Sequence, residues 1–164
     1  MGKVLSFFPK GCPGAISRSV DDIVTSLPNK ESEAAFEFGE AVFLNASGNG
    51  GVKVTSSSTA AQFVGVAVRS PSKTPEEYLP DASGRNAGCY PPGELMDVLT
   101  RGSVVVRAAA AGPGKPVYLD LSSGKFTYLA GSNPENLALP NCHFRTGTDA
   151  NGCAEMLVNT RNLI

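Results

Sequence analysis

His143 is the single histidine of a 164-residue chain that also carries four cysteines, Cys12, Cys89, Cys142 and Cys153, and no tryptophan. A histidine acts as a general base only when a second group orients it and a nucleophile lies within reach. Here it stands in the strand-like run Cys142-His143-Phe144-Arg145-Thr146, and no Gly-x-Ser-x-Gly elbow presents a serine. His143 is therefore read as structural. The cysteines form no Cys-x-x-Cys pair, which argues against a zinc knuckle or a dithiol redox site. Free thiols in a reducing cytoplasm are expected, with two disulfides as the alternative in a secreted chain. Gly112-Pro113-Gly114-Lys115-Pro116 has a lysine after glycine, but proline follows where a phosphate loop needs Ser or Thr. Asp149-Ala150-Asn151-Gly152 offers two oxygen ligands and a glycine, yet lacks the third acid and distal glutamate of a calcium loop, so a hairpin turn is expected. Asn45-Ala46-Ser47 is a glycosylation triplet that carries meaning only in a secreted chain. No catalytic, cofactor or metal set can be assembled, and a protein without enzymatic activity is expected.

Charge narrows the partners. With 14 Lys plus Arg against 15 Asp plus Glu the net charge is −1, which provides no general affinity for nucleic acid or an anionic membrane. Lys3, Lys10 and Arg18 stand without an acid in residues 1–20, whereas Asp21, Asp22, Glu31, Glu33, Glu37 and Glu40 face Lys30 alone in residues 21–40. The first forty residues are thus a dipolar segment. The apolar run after Lys3 stops at Pro9, short of the roughly 7–15 residues of a secretory signal, and nothing approaches the roughly 18 of a membrane helix. Met1, Gly2 and Ser6 satisfy the loose myristoylation pattern, which a short chance match explains as well.

The elements that must position these residues are short strands between turns. Eighteen glycines and 12 prolines make a turn-rich chain, and a length near 160 suits one domain. Glu40 to Leu44, the cluster Asn45 to Gly51, and Val52 to Thr55 read as strand, loop and strand. Phe63 to Val68 is a continuous apolar run rich in β-branched residues, hence a buried strand. Leu95 to Thr100 and Ser103 to Arg107 read as two strands separated by a bend at Arg101-Gly102. Two hairpins are expected, Pro116 to Leu121 with Lys125 to Leu129, and Cys142 to Thr146 with Ala154 to Thr160. Thr74-Pro75-Glu76-Glu77 opens the one short helix, inside a long loop from Pro71 to Pro92 that is a candidate contact surface. The sum is an all-β fold, a compact barrel or sandwich of about eight short strands in residues 36–164, preceded by an extended N-terminal arm in residues 1–35.

Several local strings and their order resemble the small tailed-phage capsid decoration, or structural cement, proteins. They are Gly14-Ala15-Ile16-Ser17-Arg18, Phe38-Gly39-Glu40-Ala41-Val42, Phe63 to Arg69, and Tyr90-Pro91-Pro92-Gly93 with Val98 to Val104. Further on come Gly114 to Tyr118 with Gly124-Lys125-Phe126, then Leu139-Pro140-Asn141 through Phe144, Gly152 and Ala154-Glu155. The resemblance implies a structural virion protein that binds the outer surface of an icosahedral head and stabilises it, made in the host cytoplasm. Its implied partners are the major capsid protein and further copies of itself, commonly in a homotrimer, with the arm reaching a neighbour. On that basis Phe7, Phe8, Arg18 and Arg101 are the candidate capsid or subunit contacts. Phe7 and Phe8 would fill pockets on a neighbour or else close the barrel, and Arg101 would meet a carboxylate across an interface or remain a solvated edge charge. A receptor- or carbohydrate-binding β module of a tail or cell surface is the alternative. The missing tryptophan and scattered tyrosines weigh against a sugar-stacking platform.

Overall fold

The computed structural model describes residues 11–70, 89–131 and 136–159. It is all-β, and its organising strand is long. The run Leu95–Ala110 forms one 16-residue strand, β7, to which four other strands pair. The expected break at Arg101-Gly102 is a bend within that strand: Gly102 takes φ +124°, the pairing with the strand Cys153–Val158 runs up to it from Arg107, and the pairing with the strand Ile16–Pro28 resumes on its other side after a register shift. A residue without Cβ turns the chain at no steric cost, so the strand bends without ending.

The remaining strands are β1 (Ile16–Pro28), β2 (Phe36–Glu37), β3 (Ala41–Leu44), β4 (Gly51–Val52), β5 (Phe63–Ala67), β6 (Cys89–Tyr90), β8 (Pro116–Leu119), β9 (Phe126–Thr127), β10 (Leu137–Phe144) and β11 (Cys153–Val158). Pairing runs β11-β10-β8-β9-β7, and β11 also pairs with β7, so these five strands close into a ring. Closure leaves no open edge among them. Strands β5, β3 and β4 continue from β7 as a flap, and β2 with β6 makes a separate two-stranded sheet.

Both expected hairpins form. Tyr118 faces Thr127 and Leu119 faces Phe126 across β8 and β9, and Cys142 faces Val158 across β10 and β11. Asp149 works as a turn residue, its Oδ1 accepting hydrogen bonds from the backbone N–H groups of Asn151 and Cys153, both at 2.9 Å. Strand β4 stops at Val52, earlier than expected, because the Lys53 amide donates to the Glu31 carboxylate at 2.6 Å and leaves the ladder. The expected helix at Thr74 and most of the loop from Pro71 lie outside the described residues.

Two cores explain why the flap strands read as continuous apolar runs. Phe43, Val66 and Leu99 point into the barrel core with Val104, Leu119, Phe126, Phe144 and Met156. Their neighbours Val42, Ala67 and Val98 point the other way, into a second core with Phe36, Phe38, Tyr90 and Met96. A strand buried on both faces needs apolar residues at every position, not at alternate ones. Tyr90 caps the second core, with its hydroxyl donating to the Val68 carbonyl at 2.6 Å and its ring edge-on to Phe38 at 5.3 Å between centroids. Asn29, 1% exposed, pins the chain between β1 and β2 by donating to the Tyr90 carbonyl at 2.9 Å and the Ala34 carbonyl at 3.0 Å.

The segment before the barrel is stitched along β7. The Gly14 amide donates to the Val105 carbonyl at 2.8 Å, the Val105 amide to the Ala15 carbonyl at 2.9 Å, and β1 then runs antiparallel to β7 as far as Pro28 opposite Leu95.

Candidate interaction site

Strand β1 carries the unusual surface. Among the described residues it pairs with β7 alone, so its second edge is open. Large apolar side chains stand on it in solvent, Ile16 at 39%, Ile23 at 49% and Val24 at 43% exposure, and Leu95, opposite Pro28, is 64% exposed. An open edge rimmed by β-branched residues is a template for another chain unless something covers it.

The middle of β1 departs from a regular ladder. Arg18 lies opposite Ser103 and Ile23 opposite Arg101, so the four residues Ser19 to Asp22 face the single residue Gly102. The excess forms a bulge, and the absent side chain of Gly102 makes room for it: a Cβ there would run into the Asp22 carboxylate. The bulge and the neighbouring strand ends border a groove of about 420 Å³ whose walls include Asp21, Asp22, Arg101, Arg145 and Asn159. The Arg101 guanidinium pairs with the Asp21 carboxylate on the rim. Both oxygens of Asp22 are shut from solvent without a hydrogen-bond partner.

Neighbouring contacts hold the strand in place. The Thr100 hydroxyl donates to the Ile23 carbonyl at 3.1 Å, Ser26 to the Asp97 carboxylate at 3.2 Å, and Ser17 to the Glu155 carboxylate at 3.0 Å. Of the residues singled out in the sequence, Arg101 is thus on this surface with a partner in its own chain, and the backbone of Arg18 enters the bulge. Phe7 and Phe8 lie outside the described residues. Asp22, Ile23, Val24 and Leu95 were not singled out. The apolar pair directly after two aspartates is the signal that could have found the first three, and nothing local marks Leu95.

Two of the thiols are held in the protonated form. Burial pushes the Cys142 thiol up to about 12. Cys153 is also raised, first by burial and then by the Asp149 charge. A thiol is nucleophilic only as thiolate, so neither is activated. His143 Nδ1 lies 3.4 Å from the Asn159 amide nitrogen on the outer side of β10. All four cysteines are free.

The family model described as structural cement protein (E217 gp24/Pam3 gp6) matches residues 3–159. The chain belongs to the structural cement proteins of phage. Its fold is shared with a chain in the structure of the capsid of Myoviridae phage XM1, with a TM-score of 0.70, 20% sequence identity, and coverage of 96% of this chain and 95% of that one. No curated protein matches. The cement chain is accordingly a structural, capsid-stabilising component associated with the virion. A role of this kind rests on surfaces that bind, and the edge of β1 with its bulge is a surface that none of the described residues pairs with.

Proposed function

We propose that the chain coats the outer face of an icosahedral phage head, gripping the major capsid protein and other copies of itself, as a homotrimer seated at local three-fold positions. The observation that carries the proposal is the open edge of β1, with Ile16, Ile23 and Val24 at 39%, 49% and 43% exposure. Backbone pairing at such an edge supplies affinity and the exposed side chains supply register. Modest contacts repeated over a closed assembly sum to strong attachment, which explains how a protein can cement a shell by packing alone. Within residues 1–35, the part that precedes β1 serves as the arm, with Phe7 and Phe8 among its contacts, and Arg18 and Arg101 belong to the β1 face.

The test is co-sedimentation of purified protein with heads lacking it, followed by heat challenge. Bound protein should raise the temperature at which heads release DNA. Heads that neither retain the protein nor gain resistance would sink the proposal. Removal of residues 1–20 should lower head occupancy, and full occupancy by the truncated chain would exclude a role for the arm.

A further inference from the structure

We propose that Cys12 and Cys153 close into a disulfide that fastens the N-terminal segment to strand β11 once the protein meets an oxidising solution. The pairing rests on the geometry of this chain. Only its timing rests on the virion role proposed above, since a virion component is assembled among reduced thiols inside a cell and meets oxidants outside it.

The two residues lie on neighbouring paths. Val104 of β7 faces Ile16 on one edge and Met156 on the other, so β1 and β11 flank β7, and both run antiparallel to it. The Ser17 hydroxyl reaches across β7 to the Glu155 carboxylate at 3.0 Å. Upstream of that contact stands Cys153, one outward position back along β11, and Cys12, brought close by a tight turn in which the Ala15 amide donates to the Cys12 carbonyl at 3.0 Å. The turn folds over the outer face of β7: a Cβ on Gly11 would lie 3.7 Å from Val105 Cγ2, and Val105 is 1% exposed although it lies outside the barrel core. Cys153 is on that same outer face, since Ala154 and Met156 fill the barrel core, yet it is 3% exposed. The segment led by Cys12 is part of its cover. Cys12 stands near enough for its charge to help raise the Cys153 thiol, after burial and Asp149. Among the described residues no other cysteine suits Cys12, because Cys142 points into the barrel core and Cys89 lies opposite Glu37 in the separate β2–β6 sheet.

The reaction takes a low-molecular-weight disulfide such as oxidised glutathione. The exposed Cys12 attacks it as thiolate and releases one thiol, leaving a mixed disulfide. The Cys153 thiolate then attacks the Cys12 sulfur, the bond to glutathione breaks, and a second thiol leaves. Two protein thiols are oxidised and one small disulfide is reduced, with the protons passing to the leaving thiolates. Cys153 must first give up its weak contact with the Asn151 carbonyl at 3.8 Å, and burial keeps its thiolate scarce, so closure is slow at neutral pH. A bond between residues so far apart in sequence restricts the unfolded chain and stabilises the fold.

The test incubates the whole protein with oxidised glutathione or with dithiothreitol. Oxidation should lower the free thiols from four to two and yield, by mass spectrometry without reduction, a linked peptide holding Cys12 and Cys153. The melting temperature should rise by about 5 °C over the reduced protein, and closure should run about tenfold faster or more at about pH 9 than at about pH 7. Cys12→Ser should lose the linked peptide and the rise, whereas Cys89→Ser should keep both. Cys153→Ala should retain glutathione on Cys12, and the exposed Cys12→Ser carries the test if that buried variant does not fold. A mixed disulfide that persists on Cys12 in wild type overturns the pairing. So does a linked peptide holding Cys89 or Cys142, or a dimer linked through Cys12 that Cys153→Ala also forms. Failure of reduced and oxidised protein alike to bind heads would instead remove the virion role, and with it the timing, while the bond stands.

Discussion

Cys12 and Cys142 should answer a thiol reagent differently. Cys12 is exposed, whereas burial holds Cys142 at about 12, so at pH 8 it presents almost no thiolate. Ellman's reagent on native protein should modify Cys12 quickly and leave Cys142 untouched until unfolding; rapid loss of all four thiols in the folded state would contradict this burial. Asp120 makes a second test. Hydrogen bonds from the Ser123 and Ser122 side chains lower its carboxyl to about 2 from an ordinary 3.8. A depressed folded value means that the ionised form stabilises the turn above pH 3.8, and that this contribution disappears as pH falls through about 2. Exposure keeps the effect small. Following the Asp120 carboxyl by NMR should give a midpoint near 2, and Asp120→Asn should flatten the acid limb of the stability curve slightly. Gly102→Ala adds a Cβ where φ is +124° and the Asp22 carboxylate already sits, so it should cost about 2 kcal/mol or more in denaturant unfolding. The glycine was legible as a bend in the sequence. Its second role, vacating space for a residue 80 positions earlier, was not, because nothing local to Arg101-Gly102 refers to Asp22.

At the level of elements, the proposed contact surface is strand β1. Its sequence, ISRSVDDIVTSLP, has no clean period of two, because four residues bulge against one. The resemblance and the Pro and Gly content implied an arm here, and only pairing with β7 reveals a strand from Ile16 to Pro28. The hairpins β8–β9 and β10–β11 were readable for the opposite reason: their partners are near neighbours in the chain and a glycine turn announces each. Ile23→Asp should leave the unfolding free energy within about 0.5 kcal/mol, since the side chain is 49% exposed, yet should lower head occupancy clearly. Equal occupancy for this variant and wild type would show that the open edge of β1 is not the contact.

The whole molecule is a closed five-strand ring with a flap, joined through β7, and its two cores share the flap strands. Leu99, fully buried in the barrel core, sits where the flap meets the ring, so Leu99→Ala should destabilise by about 2–5 kcal/mol as a single cooperative transition. Two separate transitions would mean that flap and ring fold independently. As a homotrimer the protein should sediment at about three times 17.0 kDa, and a purely monomeric mass at every concentration would remove that part of the proposal.

By itself the sequence determined the all-β class, most strand positions and the turns that join neighbours, because each depends on side chains a few residues apart. The tertiary structure decided which strands close the ring, that two cores lie on opposite faces of the flap, and that β1 is an edge. It also brought Ser17 to Glu155 and Asp21 to Arg101. Contacts across such separations depend on how the entire sheet curls and closes, a property of all the strands together that no local pattern carries.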